Sequence, residues 1–287
     1  MSFIKSLIQK DGTISLTKFK GELNNSSETD LFSGQGKRIC FLDVETTGKN
    51  RQEDGIVELA VKSVSINEQT GEILSIHDQY ESFHDPGIPI TDEASAVNGI
   101  TDEMVAGKQI DWNLLKNIFD SSNLIVSHNA SFDRAFLDRA LPISQQKLWA
   151  CSINDIDWIA KGFTNFKQEL LCVWHGFYYD SHRAMNDVDA LIHLLTHDVY
   201  SKNKPVCELI ENSMIPYYKI SALGSPFETK DKLKARNYNW DGMRKFWWKR
   251  ILAEEIESER TWLTEEIYSG YFQGRIEEIA LIDKYKD

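Results

Sequence analysis

A chain of 287 residues with 41% hydrophobic content is long enough to bury the core of one α/β domain and to carry a smaller unit beside it. The opening MSFIKSLIQKDG has no sustained apolar core or small-residue cleavage site, and no window approaches the roughly 18 apolar residues of a membrane span. An unexported, cytoplasmic protein is expected, with Cys40, Cys151, Cys172 and Cys207 as core thiols, because their lack of CxxC spacing argues against a zinc site or disulfide framework. Residues 1–36 are short on apolar periodicity and end in GELNNSSETDLFSGQGK, which predicts an N-terminal tail or tether. RICFLDVETTG then forms a continuous apolar run of strand length, as in a central strand covered on both faces. GIVELAVKSVSI and EILSIHDQYESF read as strands joined by NEQTG, where Gly71 suits a tight turn. An antiparallel hairpin beside the first strand makes the sheet mixed.

A loop (HDPGIPITDEA) and a helix from Trp112 to Phe119 lead to a fourth buried strand, NLIVSHN. In the following SFDRAFLDRAL, Phe132, Phe136, Leu137 and Ala140 recur at helical spacing, with Asn129 or Ser131 available as cap. Met185, Val188, Leu191, Ile192 and Leu195 mark one face of a helix running from about Arg183 to His197, just after His182. Pro205 and Pro216 bracket a short helical connector over residues 201–216.

The net charge of −12 is unfavourable for phosphate contact. Its distribution is uneven: residues 217–250 carry nine Lys/Arg against three acids, or +6, which leaves −18 elsewhere. A cluster of carboxylates that binds divalent cations inverts its local charge when loaded, so an acidic catalytic domain remains compatible with a polyanion.

Asp43 and Glu45, two apart at the end of an apolar strand, project to the same face. Carboxyl ends of strands are where α/β sheets bind ligands, although an isolated DxE more often only marks a strand's exit into solvent. Asp133 and Asp187 each fall in the first turn of a helix, where an acid ordinarily serves the helix dipole. Convergence favours function, since three segments place carboxylates at element termini on one edge of a sheet. Hard oxygen donors of this kind suit Mg²⁺ or Mn²⁺. His182 precedes Asp187 by five residues, about 140° around a helix, and so belongs to the preceding loop. There an imidazole beside a metal ligand could accept a proton from an attacking water. His128 competes for that role and reads as structural or supporting.

FLDVETTG, SHNASFDRAFL and HRAMNDVDA, with its HxxxxD spacing, resemble the three motifs of the DEDDh family of exonucleases, which includes the proofreading epsilon subunit of bacterial DNA polymerase III and ribonuclease T. DPGIPITDEASAVNGITDEMV and WACSINDIDWIA are also similar to family segments, so the resemblance covers residues 37–200. It implies an RNase H-like α/β fold, a mixed sheet flanked by helices, and a metal-dependent 3′ to 5′ exonuclease. Asp43, Glu45, Asp133 and Asp187 would be ligands for two divalent cations, Mg²⁺ or Mn²⁺, and His182 the general base. The implied substrate is nucleic acid with a free 3′ end, single-stranded or frayed DNA or RNA, released as nucleoside 5′-monophosphates. Candidate substrate-binding residues are the backbone at Thr46 and Thr47, which would meet the terminal ribose, with Asn98, His128, Asn129 and Phe132. Many relatives have His-Gly-Ile-Thr where this chain has Asn98-Gly99-Ile100-Thr101, which bears on substrate preference more than on catalysis. Phe132 could wedge bases or simply pack in the core.

An exoribonuclease is an alternative within this class, because the motifs address phosphate and metal rather than the 2′-hydroxyl. A non-catalytic nucleic-acid-binding adaptor is an alternative from another class. The intact acids and His182 weigh against it, since a scaffold has no reason to bury mutually repelling carboxylates.

Residues 217–287 read as a small α+β accessory module. Eight aromatics accompany the basic residues in 217–250, a mixture that tracks single strands through phosphate pairing and base stacking. Lys234, Arg236, Trp240, Trp247 and Trp248 are the candidate contacts, balanced against a role for the aromatics in the core of so small a unit. KDKLKARNYNWDGMRKFWWK resembles a small domain appended to several enzymes, and the resemblance implies a helix followed by a two-stranded hairpin. The last 37 residues hold ten acids and four bases. With Ile251, Leu252, Ile256, Ile276, Ile279 and Ala280 at helical intervals, they predict amphipathic helices packing on the body or on a protein partner.

Overall fold

The computed structural model describes residues 12–23 and 36–286, which fall into two compact units, one ending at Ser213 with residues 285 and 286 added, the other Met214–Lys284. The first contains, in chain order, β1 (Thr17–Lys18), β2 (Gly36–Thr46), β3 (Ile56–Asn67), β4 (Ile73–Phe83), α1 (Asp92–Asn98), α2 (Asp102–Val105), α3 (Trp112–Ser121), β5 (Leu124–Ser127), α4 (Ala130–Ala140), β6 (Trp149–Cys151), α5 (Gln168–Trp174), β7 (Phe177–Tyr178), α6 (Ala184–Leu195) and α7 (Pro205–Ser213). The main sheet has the order β4-β3-β2-β5-β6. β2 is antiparallel to β3 and parallel to β5, so the sheet is mixed as the sequence predicts. Ile39, Cys40, Phe41 and Leu42 of β2 are fully buried, the expected state of a strand covered on both faces. Gly71 turns β3 into β4 at φ 73°. A Cβ there would meet Lys204 Cβ at 2.7 Å and Val206 Cγ1 at 2.9 Å, so both backbone and space require glycine.

α6 buries Val188, Leu191, Ile192 and Leu195 in the principal core, where Leu171, Cys172, Ile156 and Trp158 join them. α3 is capped by Asp111, whose side chain accepts from the Asn113 and Leu114 amides. All four cysteines are free thiols, three of them buried. Among the described residues no helix is long and apolar enough to cross a membrane.

Three expectations are corrected. Residues 12–23 of the predicted tether are placed in the fold, since β1 pairs in parallel with β7 and Phe19 stacks on His193 with centroids 4.5 Å apart; residues 1–11 and 24–35 of that tether lie outside the described residues. The helical connector expected over residues 201–216 does contain a helix, α7, but Val206, Leu209 and Ile210 make it part of the principal core. The last correction concerns the second unit. It holds β8 (Tyr217–Ala222), α8 (Lys230–Ala235), β9 (Asn239–Asp241), β10 (Phe246–Ile251), α9 (Ile256–Trp262) and β11 (Arg275–Ile279). The predicted helix and hairpin are α8, β9 and β10, but they belong to a four-stranded sheet of order β11-β8-β10-β9. Ile276 and Ile279, expected on a helix, lie on β11 opposite Ile220 and Tyr217 of β8. A helix there would leave one edge of β8 without backbone partners.

Candidate active site

At the end of β2 the side chains of Asp43 and Glu45 emerge on one face, each more open than Leu42 and Val44 between and before them. Asp187 arrives from the first turn of α6. One carboxylate oxygen from each of these three acids lies within 4.8 Å of the others. Asp133, buried in the first turn of α4, is near enough for its charge to act on Asp43; its Oδ1 accepts from the Val44 amide at 3.2 Å, and it does not join that set of three. Burial, followed by the charges of Asp187, Asp133 and Glu45, pushes the Asp43 carboxyl well above the usual range. Burial and then Asp187 raise Glu45 to about 7, against the Asn98 amide, which lowers it. Burial raises Asp133 to about 8, opposed by backbone amides. Asp187 is raised mainly by burial, opposed first by the Tyr179 hydroxyl. Acids this close repel when ionised, and their hard oxygen donors fit a small divalent cation that would remove the repulsion.

His182 lies in the loop before α6, as expected, and adopts the left-handed region at φ 64°. A dense set of hydrogen bonds holds it there. The Arg183 amide donates to Asp187 Oδ2 at 3.2 Å. The Arg183 guanidinium and the Ala184 amide both donate to Glu58, at 2.7 and 3.1 Å in their shorter contacts, and Asn186 Nδ2 donates to the Asp180 carbonyl at 2.8 Å. The imidazole itself is exposed, with Nε2 3.5 Å from the Glu169 carboxylate. Glu58 and Arg183 are absent from the sequence-derived site. Glu58 faces Glu45 in the β2–β3 register, and an acid inside the apolar run GIVELAV was the available signal.

The other candidates separate clearly. Asn98 is buried; its amide donates to Glu45 Oε2 at 3.4 Å while its carbonyl oxygen accepts from the Ile100 amide. Thr46 donates its hydroxyl to the Gly48 carbonyl at 2.6 Å. Both backbone groups of Thr47 are hydrogen-bonded within the protein, its amide to the Gly55 carbonyl at 2.9 Å and its carbonyl to the Thr91 amide at 3.1 Å. His128 bridges Ser152 Oγ and the Phe166 carbonyl, each at 2.7 Å, and burial lowers its pKa to about 4. Both ring nitrogens are therefore hydrogen-bonded within the protein. Asn129 sits at the N-cap of α4 without a side-chain capping bond, and Phe132 is half-buried against Phe136, centroids 5.1 Å apart.

In the second unit, Arg236 is drawn to Glu259 at 3.0 Å and lies over Trp262, while Trp247 packs on the unit's core. Lys234 is exposed on α8, and Trp240 is exposed beside Trp247. Trp248 projects from the opposite face of β10, with Lys219 Nζ 4.8 Å and Arg250 Cζ 5.9 Å from its ring centre.

Comparison with known proteins gives the geometry a lineage. Residues 40–195 match the RNase_T family model, described as "Exonuclease". The chain is 30% identical over 167 residues to a "DNA polymerase III PolC-type" of Listeria welshimeri, covering 56% of this chain and 11% of that protein. It is 31% identical over 162 residues to the protein of the same description from Listeria monocytogenes, covering 54% and 11%. This chain thus spans about a tenth of the length of these relatives. A solved structure described as "Exonuclease X in complex with 5' overhanging duplex DNA" aligns with a TM-score of 0.43 and 26% identity, covering 56% of this chain and 90% of that one. Since the family model spans more than half of the sequence and includes every acid of the cluster, the chain belongs to the RNase T-type exonuclease family and carries a 3′–5′ exonuclease domain with an acidic candidate metal site.

Proposed function

We propose that this protein hydrolyses the terminal phosphodiester at the 3′ end of single-stranded or frayed DNA, releasing nucleoside 5′-monophosphates. The observation that carries the proposal is the meeting of Asp43, Glu45 and Asp187 within 4.8 Å at the end of β2. Together with Asp133, these acids would hold two divalent cations, Mg²⁺ or Mn²⁺. When bound, such cations acidify the attacking water and neutralise charge on the leaving 3′-oxygen. His182, on its exposed loop, accepts the proton of that water. Asn98 keeps the Glu45 carboxylate turned toward the site. The Thr46 backbone and Phe132 address the terminal nucleotide. DNA is preferred over RNA as substrate because the matched relatives are described as DNA polymerases.

The test is digestion of 3′- and 5′-labelled single- and double-stranded DNA and RNA with Mg²⁺, Mn²⁺ or chelator. Asp43→Asn should abolish metal-dependent hydrolysis while leaving binding of a single-stranded oligonucleotide largely intact. Equal turnover by the mutant and the wild type would reject the assignment, and faster turnover of RNA would replace the substrate.

The second unit is assigned an accessory hold on the nucleic-acid strand through Trp248, Lys219 and Arg250. A protein partner is the other reading of this unit, favoured by the ten acids among the last 37 residues.

A further inference from the structure

Asp187 does not hold its position alone. The Tyr179 hydroxyl donates to its Oδ1 at 2.6 Å. Gln168 Nε2 donates to the Tyr179 oxygen and to the Asp187 carbonyl, both at 2.9 Å. A phenol has one proton, so once it is given to Asp187 the oxygen can only accept from Gln168, and the direction of the relay is fixed. Gln168 is buried at 8% exposure, where an amide is retained only if it is hydrogen-bonded.

We propose that Tyr179 and Gln168 are positioning residues that hold the Asp187 carboxylate toward Asp43 and Glu45 in the orientation a divalent cation requires. The proposal rests on Asp187 being a metal ligand. The physical need is plain: before a cation arrives, a carboxylate this close to two others is driven by repulsion to rotate away. A donor must restrain it. A lysine or arginine would do so, but would also neutralise the charge and compete with the cation. Two residues further along α6 that alternative is realised, where Lys62 binds Asp189 in a buried ion pair. Among the described residues, the donors to the Asp187 carboxylate are uncharged: a phenol, an amide and the backbone N–H groups of His182 and Arg183. The same holds for Asp133, which takes the Val44 N–H, and Glu45, which takes the Asn98 amide. Orientation is supplied while the negative charge stays available.

Tyr179 is itself anchored. It follows β7, whose backbone is tied to β1 through Thr17 N–H to Gly176 at 2.9 Å and Phe19 N–H to Tyr178 at 2.8 Å. Lys18 bridges to Asp180 at 2.7 Å.

The experiment titrates Mn²⁺ alone into the full chain, following the signal of the free ion by electron paramagnetic resonance, for wild type, Tyr179→Phe, Gln168→Met and Asp187→Asn. Tyr179→Phe keeps the ring and removes the donor. Its Mn²⁺ affinity should fall about tenfold, the lower end of losses seen when a ligand's outer partner is removed, while the melting temperature in chelator falls by no more than the loss of the hydroxyl's own hydrogen bonds entails. Hydrolysis should recover at saturating Mn²⁺ with the KM for oligonucleotide unaltered. Gln168→Met should shift affinity in the same direction by less, and it decides the matter if Tyr179→Phe does not fold. Wild-type Mn²⁺ binding in the positioning variants, with binding lost in Asp187→Asn, overturns the proposal alone. Wild-type binding in Asp187→Asn overturns the metal-ligand reading beneath it.

Discussion

Carboxylates gathered at one strand end raise one another's affinity for protons, and that coupling has a sign that can be measured. In the unfolded chain Glu45 and Asp133 titrate near pH 4; in the fold they titrate at about 7 and about 8. Folding therefore takes up protons between those limits. The contribution of these groups to stability is greatest below the unfolded value and falls as pH rises through the folded values. In chelator, the protein is expected to lose stability between about pH 5 and about pH 8, on the order of 1–3 kcal/mol after allowance for coupling and solvent access. Saturating Mg²⁺ should restore it, because a ligand bound only by the native state stabilises that state. Asp133→Asn should flatten the chelator curve. Thermal melts across that range check this, and a curve flat in chelator would mean the acids are not mutually strained. At this scale the sequence shows which acids matter, because period two puts Asp43 and Glu45 on one face. It cannot show that Asn98 serves Glu45 or that the nitrogens of His128 are both occupied, since these pairings join residues far apart in the chain.

At the level of elements, the continuous and periodic patterns are legible and the short pairings are not. β2, β3, β4, α4 and α6 fall within a few residues of their predicted bounds because each carries its own apolar pattern. β1 has no such pattern. Ile14, Leu16, Phe19 and Leu23 are too sparse to announce a strand, and the distant β7 supplies the partners of Thr17 and Lys18. Ile276 and Ile279 are three apart, a spacing that fits one helical face but puts residues on opposite faces of a strand; backbone pairing to β8 decides it. The placement of β1 has a consequence for the site. Phe19→Ala removes a ring stacked on His193 and set edge-on to Phe177. Because Phe19 is half-buried, the expected cost is about 1–3 kcal/mol, below that of a fully buried phenylalanine. Mn²⁺ affinity should weaken as in Tyr179→Phe, but by less. A lowered melting temperature with unchanged Mn²⁺ binding would confine β1 to stability.

Over the whole molecule, positive charge is concentrated in one segment rather than in one unit. The basic segment 217–250 carries +6 in a chain of net −12. On β10 and β8, Arg250 and Lys219 face each other directly across the sheet, an arrangement in which like charges repel. Both lie near the Trp248 ring, and burial together with neighbouring Arg244 lowers the pKa of Lys219. Asp241 and Glu277 act on Lys219 in the opposite direction. A phosphate backbone would pair with cations beside this ring while a base stacks on the indole. If that is the unit's role, Lys219→Ala combined with Arg250→Ala should weaken binding of a long single-stranded oligonucleotide and reduce the slope of log K against log salt by roughly 1.4, at about 0.7 per phosphate. Turnover of a short oligonucleotide at saturation should be unchanged, because the acids lie in the other unit. A slope equal to wild type would mean the two cations serve Trp248 alone, and would turn the unit toward a protein partner.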